Sequence, residues 1–505
     1  MQPFSRVVNI DPWEYLVLVI YIGIISIVYA RRKNLEIRKH DEYRYYLWGL
    51  YAKIFGGVIF TLVYIYYYGN GDTLSYFNAS VVLCNLAKSD PLTYLEAFFS
   101  ANTPENYWRF FNHRTGYPLE YVYFDDRTYI LVRFVSLLSL LSFNSILLSV
   151  AVVSTVAFGG VWHLYRTLVR YFPSLKWQLA LAVLFFPSVV FWGSGIMKDT
   201  FTFTGLCWFI YSLDNIFFRK RDISSSWFHL VVSSAVMVAM KPYVFMMIVP
   251  SGLLWVLYYR VKRFRNAFVR LFFLPMALMA MGGGSFFILT KLEGSLGKFS
   301  LNQSLDTIIL AQADMKRSEQ YGRNFFDLGE IEATWGSVFS KFPQAVFAGL
   351  YRPTLLEVNN VVMLLTALEN TFLLLMTLYI LFRARIVFLF TLILQNPMLQ
   401  MFYLFSISYA FMIAITTPNF GAMVRFKIPL LPLFVAALFI TQFILDRRAQ
   451  ALRQGRPFRF EAYENGEPRG PMPPPAQPVG RRPVRTHRPP GAGVAVPPRP
   501  AGGAG

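Results

Sequence analysis

The segment Trp13-Glu14-Tyr15-Leu16-Val17-Leu18-Val19-Ile20-Tyr21-Ile22-Gly23-Ile24-Ile25-Ser26-Ile27-Val28-Tyr29-Ala30, followed at once by Arg31-Arg32-Lys33, decides the fold class. An apolar run of about twenty residues, wound as a helix, crosses a hydrocarbon layer of about 30 Å. In lipid every backbone N–H and C=O must be bonded within the segment, so the run is read as a helix. The basic residues from Arg31 to Lys39 hold its C-terminal end in the cytoplasm, which places the N-terminus outside. A secretory signal peptide has its charges before the apolar core and a small-residue cleavage site after it; here the basic cluster follows the core, with Arg6 alone ahead of it, and no such cleavage site is evident.

The same pattern recurs outward along the chain. Of 505 residues, 55% are hydrophobic, 18% aromatic and 15% charged, whereas a soluble domain is about 25% charged. Further apolar blocks fall at about 47–68, 145–165, 177–197, 200–218, 227–240, 243–259, 272–290, 361–382, 398–415 and 426–445. With the first, they predict an all-α polytopic transmembrane bundle of about eleven spans. Short basic runs mark the inner junctions: Arg31-Arg32-Lys33, Arg166 with Arg170 and Lys176, Arg219-Lys220-Arg221, Arg260 to Arg265, and Arg383 with Arg385. All of them agree with one orientation, N-terminus outside and C-terminus cytoplasmic.

Three regions follow. Residues 1–46 are an N-terminal span and a cytoplasmic basic loop, and 47–446 are the transmembrane core. Two long outer loops, 69–144 and 291–359, interrupt the core and are expected to be partly helical. The first holds Asp72, Asp90, Glu96, Glu105, Glu120, Asp125 and Asp126, and its apolar stretch from Ile130 to Phe143 is short for a span and reads as an interfacial helix. Ile386 to Leu394 is likewise too short to cross and reads as a helix along the inner face. Residues 447–505 are basic and rich in Pro, Gly and Arg, a composition that buries too little surface to order itself.

The net charge of +20 does not point to nucleic acid. The tail from Arg447 onward carries 11 Arg against 3 Glu, 11 − 3 = +8, and most of the remainder lies in the basic junctions. A phosphate-binding surface gathers its cations on one folded face. Cys84 falls in the outer loop and Cys207 in a helix, so the two cysteines predict no disulfide framework and no zinc ribbon.

Chemistry-bearing residues collect at the outer ends of the predicted spans. Asp72 follows the second span in Tyr68-Gly69-Asn70-Gly71-Asp72-Thr73-Leu74-Ser75-Tyr76. Lys198 and Asp199 close the fourth, and Lys241 closes the sixth. Arg352 and Glu357 precede the ninth, and Arg425 opens the last in Arg425-Phe426-Lys427-Ile428-Pro429-Leu430-Leu431-Pro432. Outer cations are not explained by topogenesis, and ionisable groups near hydrocarbon are costly and often functional. A carboxylate facing several cations suits a phosphate-bearing substrate: the cations hold the anion, and the carboxylate accepts a proton from an attacking hydroxyl.

Each residue also has a plainer reading. Asp72 in Gly-Asn-Gly-Asp makes a good turn or helix cap. Arg425 and Lys427 can act as interfacial anchors, and Lys198–Asp199 and Arg352–Glu357 as local ion pairs. Asp125-Asp126 would begin a metal site, but no third ligand is indicated. The five histidines are scattered, and no P-loop, GxSxG or HExxH motif occurs.

Taken together, these features resemble the GT-C superfamily of polytopic glycosyltransferases, which includes the protein O-mannosyltransferases and the lipid A aminoarabinose transferases. Those enzymes carry a catalytic carboxylate just after a span, at the head of a large outer loop. Asp72, with Tyr76 behind it, is in that position. They often carry an Arg-aromatic-x-x-Pro-x-x-Pro string opening a late span, which Arg425 to Pro432 matches. The string Phe186-Pro187-Ser188 to Lys198-Asp199 is similar to one in bacterial membrane proteins of polysaccharide clusters. The likeness covers the layout of about residues 45–445. It departs where Thr73 follows Asp72 in place of a second acidic residue, in the outward N-terminus, and in lacking a soluble C-terminal domain.

The resemblance implies a bacterial inner-membrane glycosyltransferase that moves a sugar from a polyprenyl-phosphate donor to an acceptor hydroxyl at the extracytoplasmic face. Asp72 is then the catalytic base. Tyr76, Lys198, Lys241, Arg352, Glu357 and Arg425 line the substrate site. The partners are the lipid-linked donor and membrane lipids, no nucleic acid is involved, and no cofactor is implied beyond a divalent metal as a remote option. The alternatives are a polymerase or ligase of lipid-linked glycans, a transporter or flippase, and a structural membrane subunit.

Overall fold

The computed structural model describes residues 10–261, 305, 308–310, 312–313 and 325–455. Among them every regular element is a helix. Helix α1 (Pro12–Glu36) starts with a capping box between Asp11 and Glu14 and has Pro12 in its first turn. A short 3-10 turn (Asp41–Tyr45) leads into α2 (Tyr46–Leu62), which widens into a π turn at Val63–Tyr68.

The long loop read over 69–144 is folded as five helices, α3 (Asp72–Ser89), α4 (Pro91–Phe99), α5 (Pro104–Phe110), α6 (Glu120–Tyr123) and α7 (Asp126–Leu140). The expected interfacial helix is α7, which packs along α3. Its Val132, Val135, Ser136 and Ser139 are buried, while Phe134 and Leu137 face outward. The Tyr21 hydroxyl of α1 donates to the Leu141 carbonyl at 2.6 Å, tying the end of α7 to the apolar surface of α1. Helix α8 (Ile146–Tyr171) then packs against α1 and α2.

The next apolar block does not form one rod. It consists of α9 (Lys176–Ala180), a π turn (Leu181–Phe185) and α10 (Pro187–Trp192). Pro187 cannot continue the preceding backbone ladder and fixes the first turn of α10 instead. The non-helical residues Gly193–Met197 lead into α11 (Lys198–Leu213), and α12 (Ile223–Met240) and α13 (Pro242–Val261) follow. Farther on come α14 (Trp335–Ser340), α15 (Phe342–Tyr351), α16 (Val361–Arg383), α17 (Ile386–Gln395), α18 (Pro397–Thr416), α19 (Phe420–Phe426) and α20 (Leu431–Arg453).

Among the described residues six helical segments are long and apolar enough to cross a membrane: α1, α2 with its flanking turns, α8, α12, α16 and α18. The pair α19 and α20, bent by 64°, makes a seventh if it counts as one span. The chain is a multi-pass membrane protein. The eleven blocks read from sequence diverge from this at three places, and a fourth block cannot be compared. Block 177–197 is broken at Pro187, α11 has only 16 residues before its π turn, the apolar part of α13 is short, and block 272–290 lies outside the described residues. Helix α20 also runs on to Arg453, so Arg447, Arg448 and Arg453 stand on a helix and not in a flexible tail.

Helix α11 lies between α8 and α12, while α13, α15 and α20 pack around α18. Without water to drive association, helices in lipid approach closely through small residues. Gly56 of α2 is such a point: a Cβ there would run into the Val190 carbonyl of α10. Gly56→Val is expected to destabilise the fold by about 1–3 kcal/mol through overpacking. A lowered unfolding midpoint in detergent would show it, and an unchanged midpoint would mean that α10 yields freely.

Candidate functional site

The chain leaves the aromatic end of α2 through Gly69 (φ 71°) and Gly71 (φ 137°) and begins α3 at Asp72. Gly69 takes the left-handed region that favours glycine, the Gly71 angle suits glycine alone, and a Cβ on Gly71 would strike the Tyr64 ring. The turn therefore fixes the carboxylate directly over the end of α2. From the other end of the sequence, Asn419 caps α19 by accepting from the Ala422 N–H at 3.1 Å. The Tyr409 hydroxyl donates to the Phe426 carbonyl at 3.1 Å and holds the last turn of that helix. There Arg425 Nη1 donates to Asp72 Oδ2 at 2.7 Å, across 353 residues of sequence. The pair is half-open, with the Arg425 side chain 20% and the Asp72 side chain 37% exposed. Arg425 Nε is buried and has no hydrogen-bond partner among the described residues.

A second ion pair lies beside the first. Lys241 donates to Asp199, both buried, and the ammonium sits 3.8 Å from the centre of the Phe426 ring, next in sequence to Arg425. Asp199 is in the first turn of α11 and Lys241 caps the end of α12, so each charge has the sign that its own helix end favours.

Lys198 does not pair with Asp199 as the sequence suggested. Successive residues on a helix point apart. Lys198 Nζ donates to Thr128 Oγ1 at 2.8 Å, with Asp125 Oδ2 at 3.5 Å. Tyr76 is buried beside the same Thr128. Burial first, and Asp72 second, push its phenol up, so it stays neutral and able to donate.

Arg352 and Glu357 form a separate patch. Arg352 Nε donates to Glu357 Oε1 at 2.8 Å, and Glu357 Oε2 accepts from the Thr354 N–H at 2.7 Å and its hydroxyl at 2.9 Å. The guanidinium lies over Phe326 and Phe420, at the start of α19, while Arg425 is near its end. Five of the seven sequence-chosen residues thus gather around Asp72 and Arg425, and the Arg352–Glu357 pair stands apart.

Burial raises the Glu357 carboxyl, but the bonds from Arg352 and Thr354 outweigh it and hold the group below the ordinary carboxylate range. A depressed folded value adds stability that is present above the unfolded value, about 4.3, and is lost as pH falls through the folded one. Between about pH 5 and pH 3, the unfolding midpoint should fall more steeply for the native protein than for Glu357→Gln. Parallel curves would refute this.

Asp125 and Asp126 are occupied structurally. Asp125 accepts from the Arg127 N–H at 3.2 Å and the Thr128 hydroxyl at 2.5 Å, and Asp126 accepts from Asn102 at 2.8 Å. Among the described residues no three His, Cys, Asp or Glu side chains cluster as a metal site. Cys84 and Cys207 are both free and buried.

Sequence reasoning passed over the buried charges Lys53 and Glu369, and Lys427, which it read as an interfacial anchor, is buried as well. Their signal was there, since each interrupts an apolar block. It was lost because a hydropathy average across twenty residues dilutes one charge.

No family model matches the chain, and no curated protein or solved structure matches it.

Proposed function

We propose that the chain is a bacterial inner-membrane glycosyltransferase of the GT-C kind, with about eleven spans and its N-terminus outside. It moves a sugar from a polyprenyl phosphate to an acceptor hydroxyl at the outer face. The observation that carries this reading is the Arg425–Asp72 contact at 2.7 Å, with Lys241–Asp199 and Lys198 beside it. A carboxylate and a guanidinium in contact can serve the two ends of one displacement. The acceptor oxygen attacks the anomeric carbon while its proton passes to Asp72. The carbon–oxygen bond to phosphate breaks, and the electron pair leaves with the phosphate, which Arg425 stabilises. A single displacement of this kind inverts the anomeric centre. Arg425 Nε, without a partner among the described residues, is a further donor for that phosphate.

The test is transfer from a polyprenyl-phosphate sugar in proteoliposomes, comparing the native protein with Asp72→Asn. A folded Asp72→Asn protein with undiminished transfer sinks the assignment. A transport reading draws support from Lys53, Glu369 and Lys427, because transporters carry ionisable groups deep in their spans. Uptake or efflux by Asp72→Asn with no transfer by either protein would favour that second reading.

A further inference from the structure

Lys53 stands within α2 and is 3% exposed. Among the described residues no carboxylate reaches it. Its ammonium donates to the Gly193 carbonyl and faces the Phe203 ring at 5.3 Å. Gly193 is the residue at which α10 ends. At the other end of the same helix, the Ser188 N–H donates to Glu369 Oε1 at 2.7 Å. Glu369 belongs to α16 and is 7% exposed. A helix of six residues is far below the length that holds itself together. This one has a carboxylate on its positive end and an ammonium on its negative end, the arrangement its dipole favours.

The segment that follows is pinned as well. Ser154 donates to the Ser194 carbonyl at 2.8 Å, and Thr200 donates to the Gly195 carbonyl at 2.7 Å. Directly after it come Lys198 and Asp199. Lys427 repeats the device on the other patch. It is fully buried and donates to the Leu350 carbonyl at 3.3 Å and the Arg352 carbonyl at 2.5 Å, at the end of α15, and to Asn370 Oδ1 at 3.4 Å.

We propose that Lys53 and Glu369 are positioning residues: they clamp α10 from both ends and thereby hold the 193–197 segment that presents Lys198 and Asp199 to the site. Their burial at membrane depth is then accounted for without a transport path. Neither touches the Asp72–Arg425 pair, so they act through the residues they hold. The clamp stands on its own geometry. Its effect on sugar transfer rests on the function proposed above.

Met197, 3% exposed at the end of the segment, is a suitable reporter. In the full-length protein carrying Met197→Cys, a charged maleimide should label the site slowly. Adding Lys53→Met should speed labelling about tenfold or more by letting the segment open. Adding Lys53→Arg, which can still donate to the carbonyl, should keep labelling slow. Glu369→Gln keeps an acceptor for the Ser188 N–H but loses the charge, and should give a smaller rise. Unchanged labelling in folded Lys53→Met overturns the proposal. If Lys53→Met does not fold, Glu369→Gln decides instead: faster labelling supports the clamp and unchanged labelling overturns it. The readout needs no turnover. Faster labelling in a protein that never transfers sugar sinks the enzymatic reading and keeps the clamp, while unchanged labelling with transfer intact does the reverse.

Discussion

Asp72→Asn is expected to fold and to lose about 10²–10⁴-fold of the transfer rate, the range a positioned general base contributes. The two parts of this expectation come from different magnitudes. Both side chains of the Arg425–Asp72 pair are partly open. An ion pair of that exposure adds about 0–1 kcal/mol to stability, and asparagine is a good residue at a helix start. Folding should therefore survive. Chemistry should not, because an amide cannot accept the acceptor's proton. Arg425→Ala removes the group facing the departing phosphate, and losses of about 10³–10⁵ are usual for an arginine in that role. Arg425→Lys should recover little, since an ammonium lacks the planar fork. If both residues serve one step, the double variant should be scarcely worse than the more damaging single one. Initial rates in proteoliposomes, with unfolding midpoints measured in parallel, give the comparison. Two independent, multiplying losses would mean that the residues act on different steps.

The proximity of Asp72 and Arg425 was legible in the sequence, although 353 residues separate them. Apolar blocks and basic junctions assigned each residue to one side of the membrane, and two ionisable groups on one rim of a bundle have few places to go. The partners within the rim were not legible. Lys198 and Asp199 read as a neighbouring pair, but helix geometry sends one to Thr128 and the other to Lys241. Pro187 was visible in the fourth apolar block, yet a long hydrophobic run outweighed a single ring in the reading. What lets the break persist is tertiary: Glu369 on α16 and Lys53 on α2 satisfy the ends of α10 from elsewhere in the bundle. Local sequence holds no trace of such partners. That the stretch from Ile130 would form a helix of its own was legible, because it is shorter than a span and interrupted by Arg133 and serines.

Removing either member of the Lys241–Asp199 pair should cost stability on a larger scale than any change at Asp72. Asp199 is 2% and Lys241 5% exposed. Taking away one partner strands the other charge out of water, which costs about 3–5 kcal/mol, whereas replacing both with apolar residues of similar volume is often neutral. Lys241→Met and Asp199→Leu are therefore each expected to unfold at much lower denaturant. The double variant should return most of the way to the native midpoint. Equal and additive losses would show that the two charges are not coupled. The pair also bears on the neighbouring site, because the Lys241 ammonium rests on the Phe426 ring beside Arg425. A refolded double variant keeps the bundle but loses that contact. If its transfer rate falls while Asp72 and Arg425 are intact, the buried pair sets where the guanidinium stands. If transfer is unchanged, the pair serves the fold alone.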